Sequence, residues 1–143
     1  MIKILFVCLG NICRSPMAEF VLKDLAKKAG AERKFEIASA GVSREELGNP
    51  VYPPARRELA AHGIGCAGKT ARQITRADCD YYDYVYYMDS SNGRRLRQMF
   101  PDCADRFLPF LPRDVADPWC TGNFTATWRD ISEGCARIME ELL

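Results

Sequence analysis

The stretch "CLGNICRS", residues 8–15, concentrates the side chains best suited to chemistry in this chain. Cys8 and Arg14 form a C-x5-R pattern that encloses Leu9, Gly10, Asn11, Ile12 and Cys13, and Ser15 follows at once. Half of a metal site, a disulfide, or a nucleophile inside an anion cradle could each use these residues. Gly10 and Asn11 are the types that tolerate left-handed backbone angles, as a loop curled around a ligand requires. Arg14 offers a planar fork of donors matched to two oxygens of a phosphate. A helix N-terminus and a neighbouring arginine also favour thiolate over thiol. A thiolate beneath an anion pocket is placed to attack phosphorus. A bare C-x5-R match is weak, because a buried cysteine before a Gly-Asn turn gives the same letters.

The surrounding elements decide between these readings. Lys3 to Cys8 is an apolar β-type run, and Ser15-Pro16 opens a helix that Gly30 ends. Met17, Val21, Leu25 and Ala29 recur every fourth residue along it. Phe35 to Ser39 reads as a second strand, completing a βαβ unit. After a Gly/Pro-rich connection, the pattern predicts a short helix over 55–62, a strand over 84–88, a helix over 90–99 and a weaker strand over 107–111. Trp128, Ile131, Cys135, Ile138 and Leu142 mark a final amphipathic helix. The expected fold is one α/β domain over 1–143, a three-layer sandwich. Its four-stranded, mostly parallel sheet is flanked by helices, with the phosphate-binding loop between strand 1 and helix 1. In such sheets sites lie at the carboxyl ends of the strands, where residues 8–15 fall.

Composition narrows the remaining options. Twenty Lys+Arg against 19 Asp+Glu leave a formal charge of +1, which gives no support for nucleic-acid binding. The run from Ile4 to Leu9 is too short to cross a membrane and lacks a signal-peptide cleavage pattern. Seven cysteines without a C-x-x-C pair, and a single histidine, make a zinc site hard to assemble. Free thiols in a reducing cytoplasm are expected, several of them as small core residues. No metal and no cofactor is expected.

"VCLGNICRSPMAE" resembles the signature of the low-molecular-weight protein tyrosine phosphatases. "SAGV" at 39–42, then "HGI", "ARQI", "YYMDSSN" and "DPW", fall in that family's order, so the resemblance spans essentially the whole chain. It implies hydrolysis of phosphotyrosine in proteins, with Cys8 as nucleophile and a phosphocysteine intermediate. Arg14 and the amides of Leu9, Gly10, Asn11, Ile12, Cys13, Arg14 and Ser15 would hold the phosphoryl oxygens. The Ser15 hydroxyl would stabilise the thiolate, and Asn11 would hold the curl with Ser39 as partner. Free phosphate and other oxyanions would compete for the cradle, and a monomer is expected. Relatives with both cysteines can form a reversible Cys8–Cys13 disulfide that guards the nucleophile; the alternative for Cys13 is a buried thiol.

A phenolate leaving group needs a proton, and a phosphocysteine needs an activated water. Asp117 in "ADPWCTGN" matches the first two positions of the family's Asp-Pro-Tyr motif, and it is the expected general acid and base. Trp119 would wall the substrate. The chain departs from the family where Trp119-Cys120 replaces tandem tyrosines, and where Glu45 or a neighbour replaces a cleft aromatic. Two other chemistries use the same loop. Phosphoarginine phosphatases of this type carry Thr where this chain has Ile12, so Ile12 favours tyrosine. Thiol-coupled arsenate reductases need cysteines after strand 3, where this chain has Met88-Asp89-Ser90-Ser91.

Other motifs read as structural. "GIGCAGKT", 63–70, matches a nucleotide-binding G-x-x-x-x-G-K-T, but a helical segment precedes it in place of the required strand. His62 is expected to cap or pack a helix end. Tyr81, Tyr82, Tyr84, Tyr86 and Tyr87 read as an aromatic strand with its lead-in, and Arg94, Arg95 and Arg97 as a solvated helix face. Asp89 is either an ordinary strand-end aspartate or a support for the site.

Overall fold

The computed structural model describes residues 1–143. β1 (Ile2–Cys8), β2 (Phe35–Gly41), β3 (Tyr84–Tyr87) and β4 (Phe107–Pro109) form one sheet in the order β2-β1-β3-β4. Every pairing is parallel, so the sheet is wholly rather than mostly parallel. β1 is central because Ile4 to Val7 are apolar on both faces and fully buried. Ile4, Phe6 and Cys8 enter the core beneath α1 (Arg14–Lys28), α2 (Pro53–Ala61) and α6 (Phe124–Leu142). Leu5 and Val7 point the other way, towards α3 (Arg76–Tyr81) and α4 (Ser90–Met99). The period of two along one strand thus joins two helical layers through one sheet.

Several boundaries differ from the sequence reading for identifiable reasons. α3 is an additional helix. Thr75 Oγ1 accepts from the Asp78 amide, and Asp78 Oδ2 accepts from the Thr75 amide at 2.7 Å. The letters T-R-A-D carried that capping-box signal. Tyr81 and Tyr82 therefore close a helix rather than lead into β3. β4 stops at Pro109, on the sheet edge, where a missing N–H is tolerated. Phe110 and Leu111 turn into the core beside α6. A single helical turn, α5 (Pro118–Thr121), follows Asp117 and ends at Gly122 with φ 72°. His62 is the C-cap residue of α2 and stacks on Trp128 with ring centroids 3.7 Å apart. Arg94, Arg95 and Arg97 are exposed. No helix is long and apolar enough to cross a membrane.

The layer beneath α6 depends on one small residue. A Cβ on Gly134 would lie 2.2 Å from Phe110 Cζ, and the Phe110 ring packs edge-on to Phe6 at 5.6 Å. Gly134→Ala is expected to overpack this contact and cost about 1–3 kcal/mol. A lowered urea midpoint with an unchanged m-value would show it; a midpoint equal to that of the parent would contradict it.

Candidate active site

β1 ends at Cys8, and α1 begins at Arg14, so residues 9–13 must turn the chain within five positions. Asn11 makes this possible: its φ of 60° is the chain's one positive value outside glycine. The backbone N–H groups of Leu9 to Cys13 donate to no acceptor within the chain, although Asn11, Ile12 and Cys13 are buried. Buried N–H groups are seldom left unpaired, so consecutive free donors at a helix N-terminus mark a place for an anion.

The hydrogen bonds around Asn11 have a determined direction. Its Oδ1 accepts from the Arg72 amide at 3.1 Å, which fixes Nδ2 on the opposite side. Nδ2 donates to Ser15 Oγ at 2.8 Å and to Ser39 Oγ at 3.0 Å. Ser39 in turn donates to Glu19 Oε1 at 2.6 Å. Ser15 Oγ, having accepted from Asn11, is left with its own proton to give. Cys8 Sγ stands 3.0 Å away, nearer than the alternative acceptor, Ala40 O, at 3.4 Å. Either the serine hydroxyl or the thiol can be the donor in the contact between them, and the hydroxyl proton can also go to Ala40 O.

Glu19 is 4% exposed, and its charge is met by Lys23 at 2.6 Å and Lys69 at 3.1 Å. Lys69 also donates to Ser39 O at 3.0 Å, and burial lowers its pKa despite Glu19 beside it. The lysine of the nucleotide-like "GIGCAGKT" thus braces β2 and Glu19. Sequence reading missed Glu19 and Lys69, since an acid within an amphipathic helix and a lysine in a loop carry no distance information.

Arg14 is held rigidly. Nη1 donates to Asp89 Oδ2 at 2.7 Å and to Val115 O at 2.8 Å, while Nη2 lies 3.7 Å from Asp117 Oδ2. Burial works against its charge, but Cys8, Asp89 and Asp117 together raise its pKa. Asp89 spends its other oxygen on capping α4 through the Asn92 amide at 2.8 Å. It is therefore both a strand-end cap and a support for Arg14. Asp117 caps α5, with Oδ1 accepting from the Trp119 amide at 3.1 Å. Trp119 is 56% exposed and leans on Tyr52, ring centroids 4.6 Å apart. Tyr52 is tied to the loop, its amide donating to Ile12 O at 2.9 Å.

These residues surround one cavity of about 170 Å³, lined by Cys8, Leu9, Gly10, Ile12, Cys13, Arg14, Asp117 and Trp119, with Glu45 and Glu46. Asn11, Ser15 and Ser39 stand behind the wall and do not line it. Burial, then the neighbouring Cys8, pushes the Cys13 thiol up, which opposes its ionisation. All seven cysteines are free thiols, and only Cys120 is exposed.

Residues 3–143 match the family model described as low molecular weight phosphotyrosine protein phosphatase. Low molecular weight protein-tyrosine-phosphatase YfkJ of Bacillus subtilis is 41% identical over 150 residues, covering 99% of this chain and 96% of YfkJ. The YfkJ crystal structure superposes with a TM-score of 0.96 at 39% identity, covering 99% of this chain and 94% of that one. SP-PTP, a low molecular weight protein tyrosine phosphatase from Streptococcus pyogenes, gives 0.94 at 36% identity, covering 100% and 94%. DARP, a drosophila arginine phosphatase, gives 0.89 at 28% identity, covering 98% and 97%. The chain belongs to the low-molecular-weight protein tyrosine phosphatase family.

One further position shapes the loop from outside. A Cβ on Gly41, the last residue of β2, would lie 2.8 Å from Leu9 O and 3.2 Å from the Asn11 amide nitrogen. Those are backbone atoms of the loop and cannot swing aside as a side chain could. Gly41→Ala should therefore displace the cradle and lower turnover of an aryl phosphate by about 10- to 100-fold. Parental turnover in this variant would show that the loop tolerates the displacement.

Proposed function

We propose that this chain is a protein tyrosine phosphatase that works through a phosphocysteine intermediate, and that 1–143 forms its single phosphatase domain. The observation that carries the reading is the run of unpaired amides from Leu9 to Cys13, curled beside Arg14 with Cys8 Sγ beneath. In the first step the Cys8 thiolate attacks phosphorus, and the bond from phosphorus to the phenolic oxygen breaks. Asp117 gives that oxygen its proton. The loop amides and Arg14 hold the three non-bridging oxygens, whose charge must be stabilised in both steps. In the second step Asp117, now a carboxylate, takes a proton from water as the water attacks phosphorus. The phosphorus–sulfur bond breaks and the Cys8 thiolate returns, stabilised as a leaving group by the Ser15 hydroxyl.

Arg14 cannot rotate out of this arrangement while Asp89 and Val115 hold Nη1, so Nη2 stays towards the cavity. Leu9, Ile12 and Trp119 give the walls an apolar surface suited to a phenyl ring. Ile12 supplies no hydroxyl to a guanidinium, which favours phosphotyrosine over phosphoarginine. The substrates are phosphoproteins, and free phosphate or other oxyanions compete for the same amides. The reading includes a cytoplasmic monomer that needs no cofactor.

Cys8→Ser should abolish turnover, and Asp117→Asn should lower kcat by about 10²- to 10⁴-fold, most steeply for poor leaving groups. Phosphotyrosine and phosphoarginine hydrolysis measured side by side, with and without Ile12→Thr, decides the substrate. The unmodified enzyme should prefer phosphotyrosine, and Ile12→Thr should narrow that preference. Appreciable turnover by Cys8→Ser would overturn the mechanism. A parental preference for phosphoarginine would overturn the substrate alone.

A further inference from the structure

The rim of the cavity carries charges that a site for a dianion does not by itself explain. Glu45 and Glu46 line it together with Asp117, and Arg14 is its one cationic residue. Arg14 Nη1 is held by Asp89 and Val115, and its Nη2 is turned to the phosphoryl site and to Asp117, so the arginine leaves the two glutamates unmatched. Neither Glu45 nor Glu46 takes part in any ion pair of the molecule. Arg44, next in the chain and exposed, pairs with neither.

The two acids sit on a built turn rather than a loose segment. The Ser43 amide donates to Leu9 O at 3.0 Å, and the Glu45 amide donates to Ser43 Oγ at 3.0 Å. Glu46 accepts from Asn49 Nδ2 at 2.6 Å, and its stem runs so close to the loop that a Cβ on Gly10 would lie 3.2 Å from Glu46 Cγ. The Gly48 amide closes the segment by donating to Ala71 O at 2.9 Å. Two carboxylates without ion-pair partners, carried on a held backbone beside a phosphate cradle, repel the group that the cradle binds, and within a Debye length that repulsion is felt. The arrangement becomes favourable when the substrate brings a cation to the rim.

We infer that Glu45 and Glu46 select phosphotyrosine flanked by a basic side chain. This inference rests on the phosphotyrosine reading above. A lysine or arginine within a few residues of the phosphotyrosine has a flexible stem long enough to set its charge at the rim while the phenyl ring passes Trp119 towards Cys8. Opposite charge at an entrance acts on encounter and partner choice more than on the chemical step, and salt weakens it.

Paired phosphotyrosine peptides test this, identical except for lysine or glutamate on either side of the phosphotyrosine. Each is assayed with the parent enzyme and with Glu45→Gln/Glu46→Gln, at low salt and in about 0.5 M salt, with p-nitrophenyl phosphate alongside. The parent should favour the lysine peptide by about 5- to 20-fold in kcat/KM at low salt, mainly through KM. The preference should fall below about twofold in the double variant and shrink in high salt. KM for p-nitrophenyl phosphate should decrease in the double variant, because a repulsion has been removed. Equal use of both peptides by the parent, or a preference that survives in the double variant, would overturn the selection by these two acids. Hydrolysis of p-nitrophenyl phosphate with neither peptide cleaved would instead overturn the phosphotyrosine reading, and this inference with it.

Discussion

The site depends on one residue held in an unfavourable backbone conformation. Asn11 occupies the left-handed region at φ 60°, which costs a residue with a Cβ about 1–2 kcal/mol. Its side chain offsets that cost with three hydrogen bonds, to Ser15, Ser39 and the Arg72 amide, each contributing about 1 kcal/mol net. Glycine would adopt the angle without strain but would bring none of these partners. The asparagine therefore joins the curl of the loop to β2, to the first turn of α1 and to the segment leading into α3. Through Ser15 it also positions the hydroxyl that stands 3.0 Å from Cys8 Sγ.

The same dependence explains why the sheet topology matters. With β1 central, its carboxyl end is flanked by β2 on one side and β3 on the other, and each neighbour delivers a different support. β2 brings Ser39 and the bare backbone of Gly41, against which the loop can lie without meeting a side chain. β3 runs on to Asp89, which reaches Arg14 while capping α4. Glu19 adds a buried carboxylate beneath Ser39, tolerable because Lys23 and Lys69 both reach it. Anion cradle, arginine and sulfur are thus held from three directions, while Leu9, Glu45 and Trp119 around the cavity are exposed.

How much of this the sequence disclosed follows from the range of each interaction. The loop at 8–15 was legible because its whole vocabulary lies within eight residues and between a strand and a helix that periodicity reveals. Asp117 and Ser39 were reached only through the family resemblance, since nothing local marks an aspartate before proline or a serine within a strand. Glu19 and Lys69 were invisible, because their meaning is a contact 50 positions apart in the chain. α3 is written in the capping box T-R-A-D, but it is only six residues long and the tyrosines that follow have the composition of a strand. The end of β4 was misjudged because apolar residues continue past Pro109 and serve the core without serving the sheet. Gly134 shows the converse limit: a glycine inside a helical pattern reads as a flaw until Phe110 is seen lying against it.

In the mechanism proposed above, the curled loop carries a phosphoryl group on sulfur. Rapid-quench labelling of an Asp117→Ala protein with a phosphorus-32 aryl phosphate, followed by peptide mapping, tests it most directly. With the second step slowed, label should accumulate to near one equivalent on the peptide containing Cys8, in an acid-labile thiophosphate linkage, and it should be absent from Asp117→Ala/Cys8→Ser. Turnover without any covalent label, or label on a residue other than Cys8, would contradict the account.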